Sequence, residues 1–259
     1  MTVSSFTGEN SSPLDIYHRQ LNCSRESIDL DFWKKPQGVS VPDDELNFLL
    51  IPDAVESAAC LDLARQVHRW QSEQEDAAEQ ITRALMVTMG GLLPSVLLYD
   101  HLVEGRLDGT PTIEFGTLGV SLYKGPGQRY ESPKVQHGIS IPISGQTVLL
   151  LDDMGDGGGT LQFLNQYILD SGARRVLTLA MYMKPKARTV CDADFSFGET
   201  PQDTWIITPR ERIETLVKRV PVWKQRGASI EECRRRLIDL IGYTKSEVDY
   251  YLGQAYNRS

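Results

Sequence analysis

The stretch VLLLDDMGDGGGTLQFL, Val148 to Leu164, decides how this chain is read. A continuous apolar run, typical of a strand covered on both faces of a parallel sheet, stops in two adjacent aspartates. A third aspartate follows, then three glycines and a threonine. The next segment, GTLQFLNQYILDSGA, reads as a helix ended by Gly172. Strand, acidic glycine-rich turn and helix together place Asp152 to Thr160 at a helix N-terminus. Backbone N–H groups and the helix dipole bind anions there. Glycines let the backbone approach a phosphate closely. Phosphate alone leaves the aspartates unexplained, because carboxylates repel it. Adjacent carboxylates suit a vicinal diol, and a divalent cation such as magnesium would bridge to a diphosphate. The ligand implied is a sugar phosphate. No GK[ST] follows, so the turn is not a nucleotide-hydrolysing P-loop.

Outward from this stretch, the same alternation recurs. LNFLLIP (Leu46–Pro52) suits a buried strand. From Ala54 to Ala77 the apolar positions Val55, Ala58, Ala59, Leu61, Leu63, Ala64 and Val67 recur at helical spacing against Asp62, Arg65 and Arg69. ITRALMVTMGG reads as a strand halted by two glycines, and LLPSVLLYDHL as the helix behind it. TPTIEFGTLGVSLY holds one or two strands. KGPGQRYESPKVQHG has the Gly/Pro-rich, polar composition of a long mobile loop. RRVLTLAMYMKP is a further buried strand and DTWIITP a short last one. This order predicts an α/β fold: an open, mostly parallel twisted sheet flanked by helices. Ligands of such sheets bind outside the carboxyl ends of the strands.

Three regions are expected. Residues 1–45 form an N-terminal extension, partly ordered at best; 46–215 form the sheet domain; 216–259 form a helical C-terminal extension. In the last, Ser229 with Glu232 and Thr244 with Glu247 each have capping-box spacing, predicting two short helices. Arg234 to Arg236 read as a solvated helix face.

Composition bounds the function. The 259 residues, 41% of them hydrophobic, suffice for a sizeable core. No apolar run approaches the roughly 18 residues of a membrane span. MTVSSFTGENSSPLD lacks the basic-then-apolar order of a secretory signal. Cys23, Cys60, Cys191 and Cys233 have neither zinc-ligand nor CxxC spacing and read as free thiols of a reducing cytoplasm. A formal charge of −8 argues against coating nucleic acid.

VLLLDDMGDGGGTL resembles the phosphoribosyl-diphosphate (PRPP) motif of the type I phosphoribosyltransferases. MVTMGGLLPSVLLYDHL resembles that family's diphosphate loop and following helix. MYMKPKARTV with PQDTWIITPRE resembles the base-binding region of the xanthine-guanine enzymes in particular. The resemblance covers about residues 46–215. It implies a mobile lid, PRPP and a purine-like base as ligands, Mg²⁺ carried mainly by the diphosphate, and a homo-oligomer (dimer or tetramer).

It also implies roles. Asp152 and Asp153 would hold the ribose hydroxyls, and Asp156 would manage the purine N7 proton. Gly157, Gly158, Gly159 and Thr160 would wrap the 5-phosphate. Met89, Gly90 and Gly91 would form the diphosphate loop. Lys184 would donate to the purine O6, Trp205 would stack on the base, and the Ile206 backbone would meet its edge. Segment 124–138, with Lys124, Arg129 and Lys134, would be the lid, and Glu211 a candidate for a second magnesium.

Two departures stand out. Met89 occupies the place of a basic residue before the double glycine, and Gly157 the place of a hydroxyl residue after the acidic pair. The reaction implied is transfer of the 5-phosphoribosyl group to guanine, xanthine, hypoxanthine or a related heterocycle. The alternative is a protein of the same fold that binds PRPP or a nucleotide without turnover and regulates a partner. His137, inside the expected lid, has no partner visible in the sequence.

Overall fold

The computed structural model describes residues 11–125 and 128–258, with the backbone alone described at 122–125 and 128–132. Contacts group the chain into two compact units. One holds Leu30–Pro36 and Glu56–Gln202. The other holds the N-terminal segment through Asp29, Gln37–Val55 and the chain from Asp203 onward. Residues 46–55 and 203–215, expected with the sheet domain, thus group with the terminal segments.

The larger unit is built on a six-stranded sheet of order β5-β4-β3-β6-β7-β8. The strands are β3 (Ile81–Thr88), β4 (Glu114–Gly125), β5 (Gln128–His137), β6 (Thr147–Gly155), β7 (Arg175–Met183) and β8 (Phe195–Glu199). All neighbours are parallel except the β4–β5 pair. β6 is buried along nearly its whole length because both faces are covered. Val148 and Leu150 pack beneath Leu161, Leu164 and Ile168 of α5 (Gly159–Asp170). The chain leaves β3 through α4 (Leu92–Tyr99) towards β4, and leaves β6 through α5 in the opposite direction, towards β7. Right-handed crossovers therefore put α4 and α5 on opposite faces, and β3 and β6 flank the topological switch point. α3 (Asp53–Ser72) packs on the α4 side, where the Cys60 thiol donates to the Pro94 carbonyl at 3.7 Å. Gln71 binds both the amide and the carbonyl of Ile81, at 2.7 and 3.1 Å, and so fixes where β3 begins.

The segment expected as a loop is largely the strand β5. Its polar residues hid the pattern, because an edge strand needs no apolar face, and its pairing with β4 is broken by register shifts. Gly119 of β4 pairs with Thr88, the last residue of β3, and with His137 of β5. Beyond that level β4 and β5 continue to the Gly125–Gln128 pair as a two-stranded arm. At about 3.3 Å per residue the arm extends roughly 20 Å past the sheet's carboxyl edge.

The second unit carries β2 (Asn47–Leu50) and β9 (Thr204–Ile207), which the sequence pattern assigned to the main sheet. β2 pairs on one side with β1 (Val39–Ser40) and on the other with β9, giving a separate three-stranded sheet. With both edges of β2 engaged, its ladder has no place for another strand. Helices α1 (Pro13–Leu21), α7 (Arg212–Gln225), α8 (Ile230–Arg235) and α9 (Lys245–Tyr256) complete this unit. Buried Tyr17 of α1 accepts from the Leu50 amide and donates to the Ile241 carbonyl, each at 2.9 Å. The Asp44 carboxylate, fully buried, takes two bonds from Arg219, at 3.2 and 2.5 Å, and one from the Trp223 indole, at 2.6 Å. The basic run is not a uniformly solvated face. Arg236 is 4% exposed, binds Glu232 at 2.9 Å and lies over the Trp223 ring, because aromatic packing and charge pairing outweigh its hydration. Among the described residues no helix is long and apolar enough to cross a membrane.

Candidate active site

Asp152 and Asp153 lie within β6, near its end, and Asp156 follows it. Asp152 pairs with Ala180 of β7, and the ladder continues to Gly155 opposite Met183. Both carboxylates are nevertheless buried, Asp152 at 7% and Asp153 at 9% exposure. The Asp153 amide donates to the Asp152 carboxylate at 3.0 Å. Buried carboxylates persist only where hydrogen bonds or charges compensate them, and their place at a strand's carboxyl end makes them candidates for ligand contact.

The glycines following β3 are there for steric reasons. A Cβ at Gly90 would stand 2.8 Å from an Oδ1 of both Asp152 and Asp153. At Gly91 it would stand 2.2 Å from the Leu151 carbonyl oxygen. The expected diphosphate loop thus meets the expected ribose-binding pair at the switch point. Gly91 is also the N-cap of α4. The peptide between Thr88 and Met89 is cis, and the Met89 side chain is 70% exposed.

The second half of the motif opens α5. Gly158, in the left-handed region at φ 78°, is the N-cap, and no side chain caps this helix. A Cβ there would also meet Val190 at 2.8 Å and the Ala187 carbonyl at 2.9 Å. Gly157 and Gly159 face open space. The N-terminal amides of α5, with Thr160 in its first turn, are thus free of a competing side-chain cap, as an anion site at a helix N-terminus would require.

Lys184 joins this turn. Its side chain is 8% exposed, and its ammonium lies 2.8 Å from Oδ1 of the 56%-exposed Asp156. Its amide donates to the Gly155 carbonyl at 2.9 Å. Lys184 is also the N-cap of α6 (Pro185–Val190), which Pro185 starts by supplying a preset φ. Gln202 was not foreseen. It donates to the Asp156 carbonyl at 3.4 Å and accepts from the Lys186 amide at 3.1 Å, tying the turn to α6. Nothing in the sequence pattern around Gln202 signals this bridge.

Trp205, Ile206 and Glu211 are described within their own unit. The Trp205 indole donates to Thr215 at 2.9 Å, with Lys218 and Arg219 near its ring. Ile206 is buried in β9, next to Trp205. The Glu211 carboxylate is engaged by Arg210 at 3.1 Å and by the Thr208 hydroxyl at 3.3 Å. These residues belong to the second unit. Lys134 is exposed on β5, while the side chains of Lys124 and Arg129 lie outside the described residues. Among the described residues no group of three or more His, Cys, Asp or Glu side chains converges on a metal-sized point.

With this geometry established, known proteins give it a context. No protein-family model matches the chain. A xanthine-guanine phosphoribosyltransferase of Idiomarina loihiensis is 28% identical over 132 residues, which are 51% of this chain and 72% of that protein. A crystal structure of a purine phosphoribosyltransferase from Pyrococcus horikoshii superposes with a TM-score of 0.50 at 23% identity, covering 62% of this chain and 92% of that one. The fold is that of the type I phosphoribosyltransferases. In sequence the chain resembles a xanthine-guanine enzyme over about half its length. The phosphoribosyltransferase fold also accounts for the paired loops at the switch point, where α/β sheets bind their ligands.

Proposed function

We propose that the protein transfers the 5-phosphoribosyl group of PRPP to a purine-like base and releases diphosphate. The observation that carries this reading is the convergence at the switch point. Gly90 leaves no room for a side chain beside Asp152 and Asp153, and the uncapped α5 N-terminus follows Asp156. In the reaction a ring nitrogen of the base forms a bond to C1 of the ribose. The C1–oxygen bond breaks, diphosphate leaves with the electron pair, and the proton on the base passes to a carboxylate or to solvent.

Each residue has a task in this scheme. Asp152 and Asp153 hold the ribose hydroxyls, and the α5 amides with Thr160 hold the 5-phosphate, so the reacting carbon is positioned at both ends. Asp156 receives the proton. Lys184 turns its ammonium from Asp156 to the exocyclic oxygen of the base, supplying positive charge where the purine becomes electron-rich. Two buried carboxylates at the diphosphate loop are a donor set suited to a hard cation, and Mg²⁺ held there would offset the charge of the leaving diphosphate.

The test is PRPP and Mg²⁺ with guanine, xanthine, hypoxanthine and modified bases, read by product mass and diphosphate release. No release with any base would sink the proposal. Asp156→Asn is expected to lower kcat by about 10²-fold or more while leaving PRPP binding within a fewfold. Equal losses in both would contradict the proton role. Exposed Met89 and the bare backbone of Gly157 favour one second reading, a PRPP-binding regulator. Thermal stabilisation by PRPP without turnover would select it.

A further inference from the structure

His137 stands at the root of the β4–β5 arm, where it meets the end of β3. Its Nε2 lies 3.1 Å from the Thr88 hydroxyl, and its Nδ1 lies 3.2 Å from the Gly138 carbonyl. A carbonyl only accepts, so Nδ1 carries the proton. In the neutral ring Nε2 then accepts from the Thr88 hydroxyl. The ring also has a slot built for it. A Cβ at Gly119 would fall 2.3 Å from His137 Cδ2, 2.6 Å from its Nε2 and 2.9 Å from the Thr88 hydroxyl. Gly119, Thr88 and His137 share one level of the sheet, in register.

Thr88 is the last residue before the loop Met89-Gly90-Gly91. In this chain that loop has no charged side chain with which to hold a diphosphate, so its backbone must do so. Backbone donors act only if the chain is held in the right orientation, and two glycines by themselves do not hold it. We infer that His137 is a positioning residue that fixes the diphosphate loop through Thr88, and that it links the loop to the overhanging arm. The inference rests on the phosphoribosyl-transfer reading for its kinetic consequence, but its structural consequence stands apart from turnover.

The experiment compares wild type, His137→Ala, His137→Asn, His137→Gln and Thr88→Val in the full chain. It reads amide hydrogen exchange at residues 88–91 and the KM values for PRPP and for the base. Gln can reach Thr88 from the position of Nε2, whereas Asn can only replace Nδ1. The Ala, Asn and Val variants are expected to accelerate exchange at 88–91 and to raise the PRPP KM roughly fivefold, about the worth of one hydrogen bond. The base KM stays within about twofold, and the Gln variant returns to wild-type behaviour. Unchanged exchange and unchanged PRPP KM in His137→Ala would overturn the inference. So would a general loss that Gln does not rescue. If wild type makes no product with any base yet exchange at 88–91 responds as expected, the positioning role stands and the transfer reading falls.

Discussion

Gly157 and Gly90 are both glycines of the proposed ligand loops, yet they forbid side chains to different degrees. A Cβ at Gly157 meets nothing within 4 Å, and its φ lies outside the left-handed region. A hydroxyl residue therefore fits there without strain. Gly157→Thr is expected to add one donor to the 5-phosphate and to lower the PRPP KM by about tenfold, as a hydrogen bond to a charged group is worth about 1.5–3 kcal/mol. Steady-state kinetics would check this, and an unchanged or raised KM would mean the phosphate does not lie against residue 157. Gly90→Ala is the opposite case. Its methyl group would fall on two buried carboxylates at once. The expectation is loss of PRPP binding with about 1–3 kcal/mol of destabilisation from overpacking. A variant that melts and binds like wild type would show that the loop and β6 are not held against each other.

At the scale of elements, the two C-terminal caps differ. The Thr244 box forms in full: Glu247 accepts from the Thr244 amide at 3.0 Å and from its hydroxyl at 2.7 Å. The Ser229 box forms by half. Ser229 accepts from the Glu232 amide, but the Glu232 carboxylate binds Arg235 and Arg236 instead of returning to the N-cap. Those bonds, Arg235's first, hold Glu232 down at about 2, against an ordinary value of 4.5. A carboxylate lowered in the folded state contributes stability above its unfolded value and loses it as pH falls through the folded one. Glu232→Gln should therefore flatten the fall in melting temperature between about pH 4.5 and 2. Circular-dichroism melts across that window would show it, and a slope as steep as wild type would contradict it.

The same elements show what the sequence could and could not reveal. β6 and α5 were legible because burial on both faces requires a continuous apolar run, and a helix N-cap at positive φ requires glycine. The half-formed box was not legible, because spacing does not tell which arginine competes for a glutamate. β5 was hidden because an edge strand needs no apolar pattern. α6 was hidden because six residues after a proline show no periodicity. Helix α1 did carry a signal: Ser12, Pro13 and Asp15 form a complete capping box with proline at the first position. Asp152, Asp153, Asp156 and Lys184 were legible as residue types. The Lys184–Asp156 pair and the His137–Thr88 contact were not, since both depend on how separate strands are brought into register.

At the scale of the whole molecule, charge decides how PRPP could bind. The chain carries 27 basic and 35 acidic residues, hence −8 at neutral pH, and PRPP is itself a polyanion. The two helix N-termini at the switch point offer roughly half a positive charge each. Asp152 and Asp153 take back more than that, and Met89 adds nothing. Lys184 is a cation beside the turn, and it is already paired with Asp156. On the proposed reading, the described residues leave much of the diphosphate charge uncompensated, and a divalent cation is expected to travel with it. At a PRPP concentration 100 times its Kd, with Mg²⁺ present, ligand linkage stabilises the fold by about 2.7 kcal/mol. For a chain of this size that raises Tm by roughly 5–10 °C. Chelation by EDTA should abolish the shift, and amide protection in the bound state should concentrate at residues 89–91 and 152–160. A shift of equal size in EDTA would show that the site recruits positive charge from elsewhere and would remove Mg²⁺ from the mechanism. Protection lying mainly outside those two loops would remove the switch point as the PRPP site.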